Sequence, residues 1–251
     1  VSVRLACVEV GASGVQTVLL DGVGPDAPWR TLRGAHRPAG HVLAIATPGL
    51  IAGGRVVAAS NLGWLDVDPA QRLGLAGPAV VLANDAQAAA LGEWVLRAAG
   101  QDLVFVGLGT GVGGAVVSAG SVTANLLGHL GGFGAAPCPC GLTGCLETVA
   151  AGWALPRRLG AQRLRVLAEH LADAIRRTPQ TASSPVVLAG GLTRRHPVLV
   201  ELLRAALGDR EVSATAAPQE LKSAAAWGLA RLVVDGPGIA GVAGVAGISA
   251  R

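Results

Sequence analysis

An α/β protein built on a duplicated unit is what this sequence predicts, and three observations carry the prediction. Residues 3–10 and 15–20 are β-branched, apolar runs joined by Gly11-Ala12-Ser13-Gly14, and residues 103–118 repeat the device around Gly109-Thr110-Gly111-Val112-Gly113-Gly114. Each reads as a hairpin, and two alike imply duplication. Second, apolar runs alternate with helical ones, as where 79–83 leads into 86–97. Third, the chain has 251 residues, 51% hydrophobic and 14% charged, enough for one large or two modest cores.

Composition also excludes. Mean hydropathy is +0.51, yet no run approaches the roughly 20 apolar, uncharged residues of a membrane-spanning helix. No basic and then apolar leader opens the chain, so cytoplasmic residence is the default, and clustered reduced thiols fit it. The net charge of +4 is almost wholly arginine, with Lys222 the single lysine. The pairs Arg157-Arg158, Arg176-Arg177 and Arg194-Arg195 are scattered and lack interleaved aromatics, so they read as solvated faces rather than a nucleic-acid surface. Methionine and tyrosine are absent, and Val1 in first place leaves open a non-standard start or a fragment.

In chain order, the first hairpin delivers Glu9 into a small-residue turn, where backbone N–H groups can approach an anion; an ordinary hairpin with a polar turn is the plainer reading. Residues 22–41 are rich in Gly, Pro and Arg, and Arg33-Gly-Ala-His-Arg-Pro-Ala-Gly40 is too short and too broken to form a helix. A buried strand then ends at Thr47-Pro48-Gly49. The strand at 79–83 runs into Asn84-Asp85, a position where open α/β sheets bind ligands, although Asn-Asp is equally an N-cap. After the second hairpin, Leu164, Leu167, Leu171 and Ile175 recur at steps of three and four and mark a helix within 157–177. A strand at 186–192 exits through Gly190-Gly191, helices follow at 196–207 and 221–234, and 236–251 reads as a mobile Gly-rich tail.

Between the second hairpin and that helix lies His129, then Cys138-Pro-Cys140-Gly-Leu-Thr-Gly-Cys145-Leu-Glu147. Three thiols and one imidazole make a full tetrahedral set, which predicts structural zinc. A loop with three free cysteines is the alternative. For Glu147 two readings stay open: a ligand for a small polar substrate, or a carboxylate favoured at a helix start.

The string Cys-x-Cys-Gly-x-x-Gly-Cys-x-Glu after Gly-His resembles the signature of the ROK family of repressors, open reading frames and kinases. The resemblance implies an actin-like ATPase (ribonuclease H-like) α/β fold with two lobes around a central cleft. One lobe would hold 1–99 joined by the helix at 221–234, and the other 100–220 with the zinc knuckle. It implies ATP-dependent phosphorylation of a hexose or N-acetylhexosamine, or else a sugar-sensing regulator or an impaired homologue. Asp85 would be the catalytic base; Gly49, Asn84, Asp85, His129 and Glu147 would meet the sugar. Glu9, Gly11, Ser13, Gly109, Thr110, Gly111, Gly113, Gly190 and Gly191 would serve ATP, which brings Mg²⁺. His129, Cys138, Cys140 and Cys145 would hold zinc.

Departures accompany the match. Glu9 stands in an Asp place, Ser13 in a Thr place, and Leu126 where the family has an acid that binds a sugar hydroxyl; Asn125 is near but out of register. Two helical regions are shortened. No DNA-binding segment is expected ahead of the first strand, no membrane partner, and a homodimer or homotetramer is implied. The sugar and its phosphorylated hydroxyl are not encoded in these motifs.

Overall fold

The computed structural model describes residues 3–97, 100–178, 184–208 and 210–235, the side chains of Ala124 and Asn125 excepted. The tail expected at 236–251 lies outside the described residues, as does the Asn125 side chain. Strands β1 (Arg4–Gly11) and β2 (Gly14–Asp21) close on each other with Gly11 opposite Gly14. Residues 22–41 carry no helix. They supply β3 (Trp29–Arg33), antiparallel to β2, and the chain passes from it to the next strand without a helix, which is how the expected shortening is realised. Strand β4 (Val42–Thr47) lies parallel to β1. A separate three-stranded sheet follows: β5 (Leu50–Ala52), β6 (Arg55–Ala59) and β7 (Trp64–Val67). After the short helix α1 (Pro69–Arg72), capped by Asp68, β8 (Val81–Asn84) joins β4 in parallel and passes directly into α2 (Asp85–Leu96).

The second half repeats the plan. Strands β9 (Leu103–Leu108), β10 (Val112–Ser118) and β11 (Ser121–Asn125) form the antiparallel part. The turn α3 (Glu147–Ala150) and the amphipathic helix α4 (Ala161–Arg176) precede β12 (Val186–Ala189). Helix α4 buries Leu164, Leu167, Leu171 and Ile175, the stripe expected from their spacing. The helix expected at 196–207 is α6 (Val198–Leu207), with α5 (Gly191–Arg195) ahead of it. Pro197 separates the two because it has no N–H to donate. Strand β13 (Val212–Ala214) and helix α7 (Ala225–Asp235) complete the described elements. The last helix begins at Ala225, later than expected, because Ser223 accepts from the Ala225 N–H and caps it there.

The sheet orders are β3-β2-β1-β4-β8 and β11-β10-β9-β12-β13. Numbered within each sheet, both read 3-2-1-4-5, antiparallel across the first three and parallel across the rest, which is the ribonuclease H-like topology and the expected duplication. Between them lies α2. Ala88, Ala90 and Leu91 are fully buried, and the core around it draws Leu5, Cys7 and Ala44 from the first sheet and Phe105, Ala115 and Val117 from the second. A helix in contact on all sides is apolar nearly all round rather than amphipathic; its buried exceptions are Gln87 and Glu93, the latter accepting from Thr215 Oγ1 and Ala216 N. Its partner α7 comes so close that a Cβ on Gly92 would stand 1.8 Å from the Ala224 oxygen, and one on Gly228 1.9 Å from that of Ala88. Cys7, the fourth cysteine, belongs to this packing: its thiol faces the Ala226 carbonyl at 3.5 Å, and burial pushes it up to about 12.

Candidate active site

Both hairpin turns, the start of α2 and the residues His129 and Glu147 that flank the Cys-rich loop converge on one cleft of about 620 Å³. Among the expected site residues, Glu9, Gly11, Ser13, Gly49, Asp85, Gly109, Thr110, Gly111, Gly113, His129, Glu147, Gly190 and Gly191 all line it. Asn84 does not. Its Oδ1 accepts from Ala86 N (3.0 Å) and Gln87 N (3.3 Å), and its Nδ2 donates to Gly49 O at 3.2 Å. The N-cap reading therefore describes its side chain, which also ties the Pro48-Gly49 turn to α2.

Three carboxylates face the cleft, and their partners differ. Glu9 Oε1 accepts from the Ser223 hydroxyl at 3.0 Å, which joins the end of β1 to the cap of α7. Burial raises its carboxyl to about 7; the negative charge of Asp85 adds to the rise, while the Ser223 bond and the cations Lys222 and Arg194 oppose it. Glu147, itself buried, accepts from Val112 N at 2.6 Å. Neither open reading of Glu147 included that bond, which anchors the second glycine turn. Among the described residues Asp85 is held by its own helix start alone, with Oδ1 accepting from Ala86 N at 2.9 Å. Burial raises its carboxyl to about 6 against the pull of its own and the Ala86 N–H groups.

The second turn is fixed from behind. Gly152 N donates to Gly109 O at 2.9 Å and Trp153 N to Thr110 O at 3.3 Å, while Gly109 N bonds Gly111 O at 3.0 Å. A Cβ at Gly111 would lie 2.3 Å from Glu147 Oε1 and 3.2 Å from Asn61 Nδ2, so a side chain there would require the Glu147 carboxylate to move.

His129, Cys138, Cys140 and Cys145 bring one ligand atom each within 4.8 Å of one another. Cys140 and Cys145 sulfurs are 3.7 Å apart, and Cys138 Sγ lies 3.8 Å from His129 Nδ1. A tetrahedron of thiolates about 2.3 Å from zinc has edges of about 3.8 Å, so the donor set fits that ion. The loop is braced without it: Cys138 N bonds Leu142 O (2.8 Å) and Gly144 N bonds Ala136 O (2.9 Å).

The cleft also contains Asn61, from the Asn61-Leu62-Gly63-Trp64 segment that resembles the family's sugar-cleft floor, together with Trp153, Lys222 and Ser223. Arg194 lines it too, which corrects the reading of the Arg194-Arg195 pair as a solvated face: its guanidinium bonds the carbonyls of Leu221 and Lys222. Leu126, the departure at the acid's place, is 54% exposed and not part of the lining.

A family model described as ROK family matches residues 33–184. Glucokinase of Halalkalibacterium halodurans is 36% identical over 148 residues, 53% of this chain and 44% of that one. N-acetylmannosamine kinase of Escherichia coli O157:H7 is 42% identical over 122 residues, 44% of this chain and 42% of that one. The chain thus matches less than half the length of these curated relatives. The solved ROK hexokinase of Thermus thermophilus superposes with a TM-score of 0.66 at 23% identity, over 93% of this chain and 100% of that one. That likeness carries the fold, an actin-like ATPase fold, which transcriptional regulators share with kinases.

Proposed function

The chain belongs to the ROK family, and from that premise we propose that it phosphorylates a hexose or N-acetylhexosamine at the expense of ATP. One observation carries the reading. Of the three carboxylates in the cleft, Glu9 and Glu147 are bonded to distant segments, whereas among the described residues Asp85 is bonded within its own helix start alone. A carboxyl raised to about 6 is ionised at neutral pH and still basic enough to take a proton. Asp85 accepts the proton of the sugar hydroxyl as that oxygen attacks the γ-phosphorus and the bond to the β,γ-bridging oxygen breaks, releasing ADP and the sugar phosphate. Phosphoryl transfer has a loose transition state, so placement and charge neutralisation do most of the rest. The turns at Gly11–Gly14 and Gly109–Gly113 bring backbone N–H groups to the phosphates, Gly190-Gly191 lies against the nucleoside, and Mg²⁺ enters with ATP.

On the sugar side stand Gly49, His129 and Glu147. In this reading the His129 and cysteine cluster holds a structural zinc; four protein ligands leave no position for a catalytic water, so the ion supplies placement alone. His129 Nδ1 faces the thiols, which frees Nε2 for a hydroxyl. The proposal includes two lobes, 1–99 with the terminal helix and 100–220, a cytoplasmic site of action and a homodimer or homotetramer. A second reading, a sugar-responsive domain without catalysis, draws on Leu126, which removes one expected hydroxyl acceptor.

A coupled assay with ATP against glucose, mannose, N-acetylglucosamine and N-acetylmannosamine separates them. Turnover of at least one sugar, reduced by about 10² to 10⁴-fold in Asp85→Asn, is expected. Equal rates of wild type and D85N on every sugar, with sugar binding retained, would establish the regulator reading instead.

A further inference from the structure

Lys222 is the single lysine of the chain, and the fold sets it in the cleft against the first glycine turn, its Nζ 2.7 Å from Gly14 O. The position of its backbone does not depend on that bond. Lys222 N donates to Gln16 Oε1 at 3.4 Å, Gln16 Nε2 donates to Glu220 O at 3.3 Å, and Arg194 donates to the carbonyls of Leu221 and Lys222. Residue 222 is therefore held between the β1–β2 hairpin and α5, with an ammonium to spare. That ammonium has three donors, and among the described residues one is engaged.

Three cations, Arg194, Arg195 and Lys222, line the cleft beside its carboxylates. Glu9, Asp85 and Glu147 are three carboxylates facing one space, and a polyphosphate entering it meets like charge at short range. The guanidinium of Arg194 is occupied by carbonyls from both of its outer nitrogens. Lys222 is the cation bonded to the first turn itself, and its charge already reaches Glu9. A bond to a neutral carbonyl is readily exchanged for a charge-assisted one to a phosphate oxygen, which is the stronger of the two.

We propose that Lys222 is a ligand of the donor phosphates, leaving Gly14 O to meet them when the nucleotide enters. The inference rests on the kinase reading above and adds to it a residue outside the glycine turns. It assigns the lysine to the phosphates and not to the nucleoside, so adenosine and inorganic tripolyphosphate distinguish the two ends of the ligand.

Calorimetric titration of wild type, Lys222→Met and Lys222→Arg with MgATP, tripolyphosphate and adenosine tests it. In K222M the MgATP and tripolyphosphate Kd values are expected to rise about ten- to hundredfold, as loss of a charged hydrogen bond implies. K222R should recover part of the loss, and adenosine should bind all three proteins alike. A rise short of about fivefold in K222M, or a parallel loss for adenosine, overturns the inference. Wild type that binds MgATP and phosphorylates a sugar, with K222M equal to it, sinks this inference and spares the kinase reading. Wild type that binds no MgATP sinks both. Should K222M fail to fold, amine acylation of the unaltered protein replaces it: MgATP should protect the Lys222 peptide and adenosine should not, and acylation indifferent to MgATP overturns the proposal.

Discussion

The two glycine turns occupy equivalent places in equivalent sheets and are held by different means. The β1–β2 turn is open: a Cβ on Gly11 would meet nothing nearer than Gly14 O at 3.8 Å, and one on Gly14 nothing within 4 Å. Side-chain bonds tie it to residues 220–223: Gln16 to Glu220 and Lys222, Glu9 to Ser223, and the Lys222 ammonium to the Gly14 carbonyl. The β9–β10 turn is packed, with its carbonyls answered by the backbone at 152–153 and its Val112 N–H by buried Glu147. Duplicated topology thus supplies two anion-sized turns, one adjustable through charged side chains and one rigid through backbone and the absence of Cβ atoms. In the proposed reaction the first would respond to the charged ligand and the second would serve as a fixed reference.

The largest expected effect breaks the comparison if it fails. Gly111→Ala must displace Glu147 from Val112 N and should cost roughly 2–3 kcal/mol, whereas Gly11→Ala should stay within about 0.5 kcal/mol. Thermal melts of the two variants decide it, and equal melting would mean the turns are not held differently. Next comes the cluster that supports the rigid side. A strong chelator, or Cys140→Ser, should lower the melting temperature by about 5–10 °C, as for a loss of about 2–3 kcal/mol in a chain of this size, and should raise the sugar KM with it. Elemental analysis should return about one zinc per chain; active, metal-free protein with an unaltered melt would remove the zinc from the account.

The adjustable side should carry the pH dependence. Glu9 and Asp85 have carboxyls raised to about 7 and about 6, above their ordinary 4.5 and 3.8. The folded state therefore holds protons that the unfolded chain releases, so this contribution is complete below about pH 4 and is lost as pH rises through 6 to 7. Between pH 5 and pH 8 it should amount to on the order of 1–2 kcal/mol, because water in the cleft screens part of the shift. Denaturant midpoints of wild type and Glu9→Gln across that range check it: the slope should flatten in the variant, and an unchanged slope would separate Glu9 from the effect. Activity should move oppositely and rise with pH through about 6, as Asp85 ionises. The smallest effect concerns Leu126, whose side chain stands largely in solvent. Leu126→Glu should tighten sugar binding by up to about tenfold; weaker binding in calorimetry would place residue 126 outside the sugar site.

Much of this was legible in the residues alone. Hairpins at 4–21 and 103–118, the strand-to-helix junction at Asp85 and the Cys3His spacing are local patterns, written in β-branched runs, small-residue turns and thiols a few positions apart. What only the tertiary structure decided is which side chains those patterns meet. Glu147 bonds a residue 35 positions away, Lys222 one 208 away and Glu9 one 214 away. Asn84 shows the limit from the other direction: its carboxamide is engaged by the cap and by Gly49, 35 residues earlier, so a residue type suited to a sugar serves the backbone. Periodicity and spacing report the conformation of one segment, because the forces that set it act between near neighbours in the chain. The partners of a buried carboxylate or a lone ammonium are set when two sheets close around α2, and that closure brings residues 9, 14, 222 and 223 together with no short-range pattern to announce it.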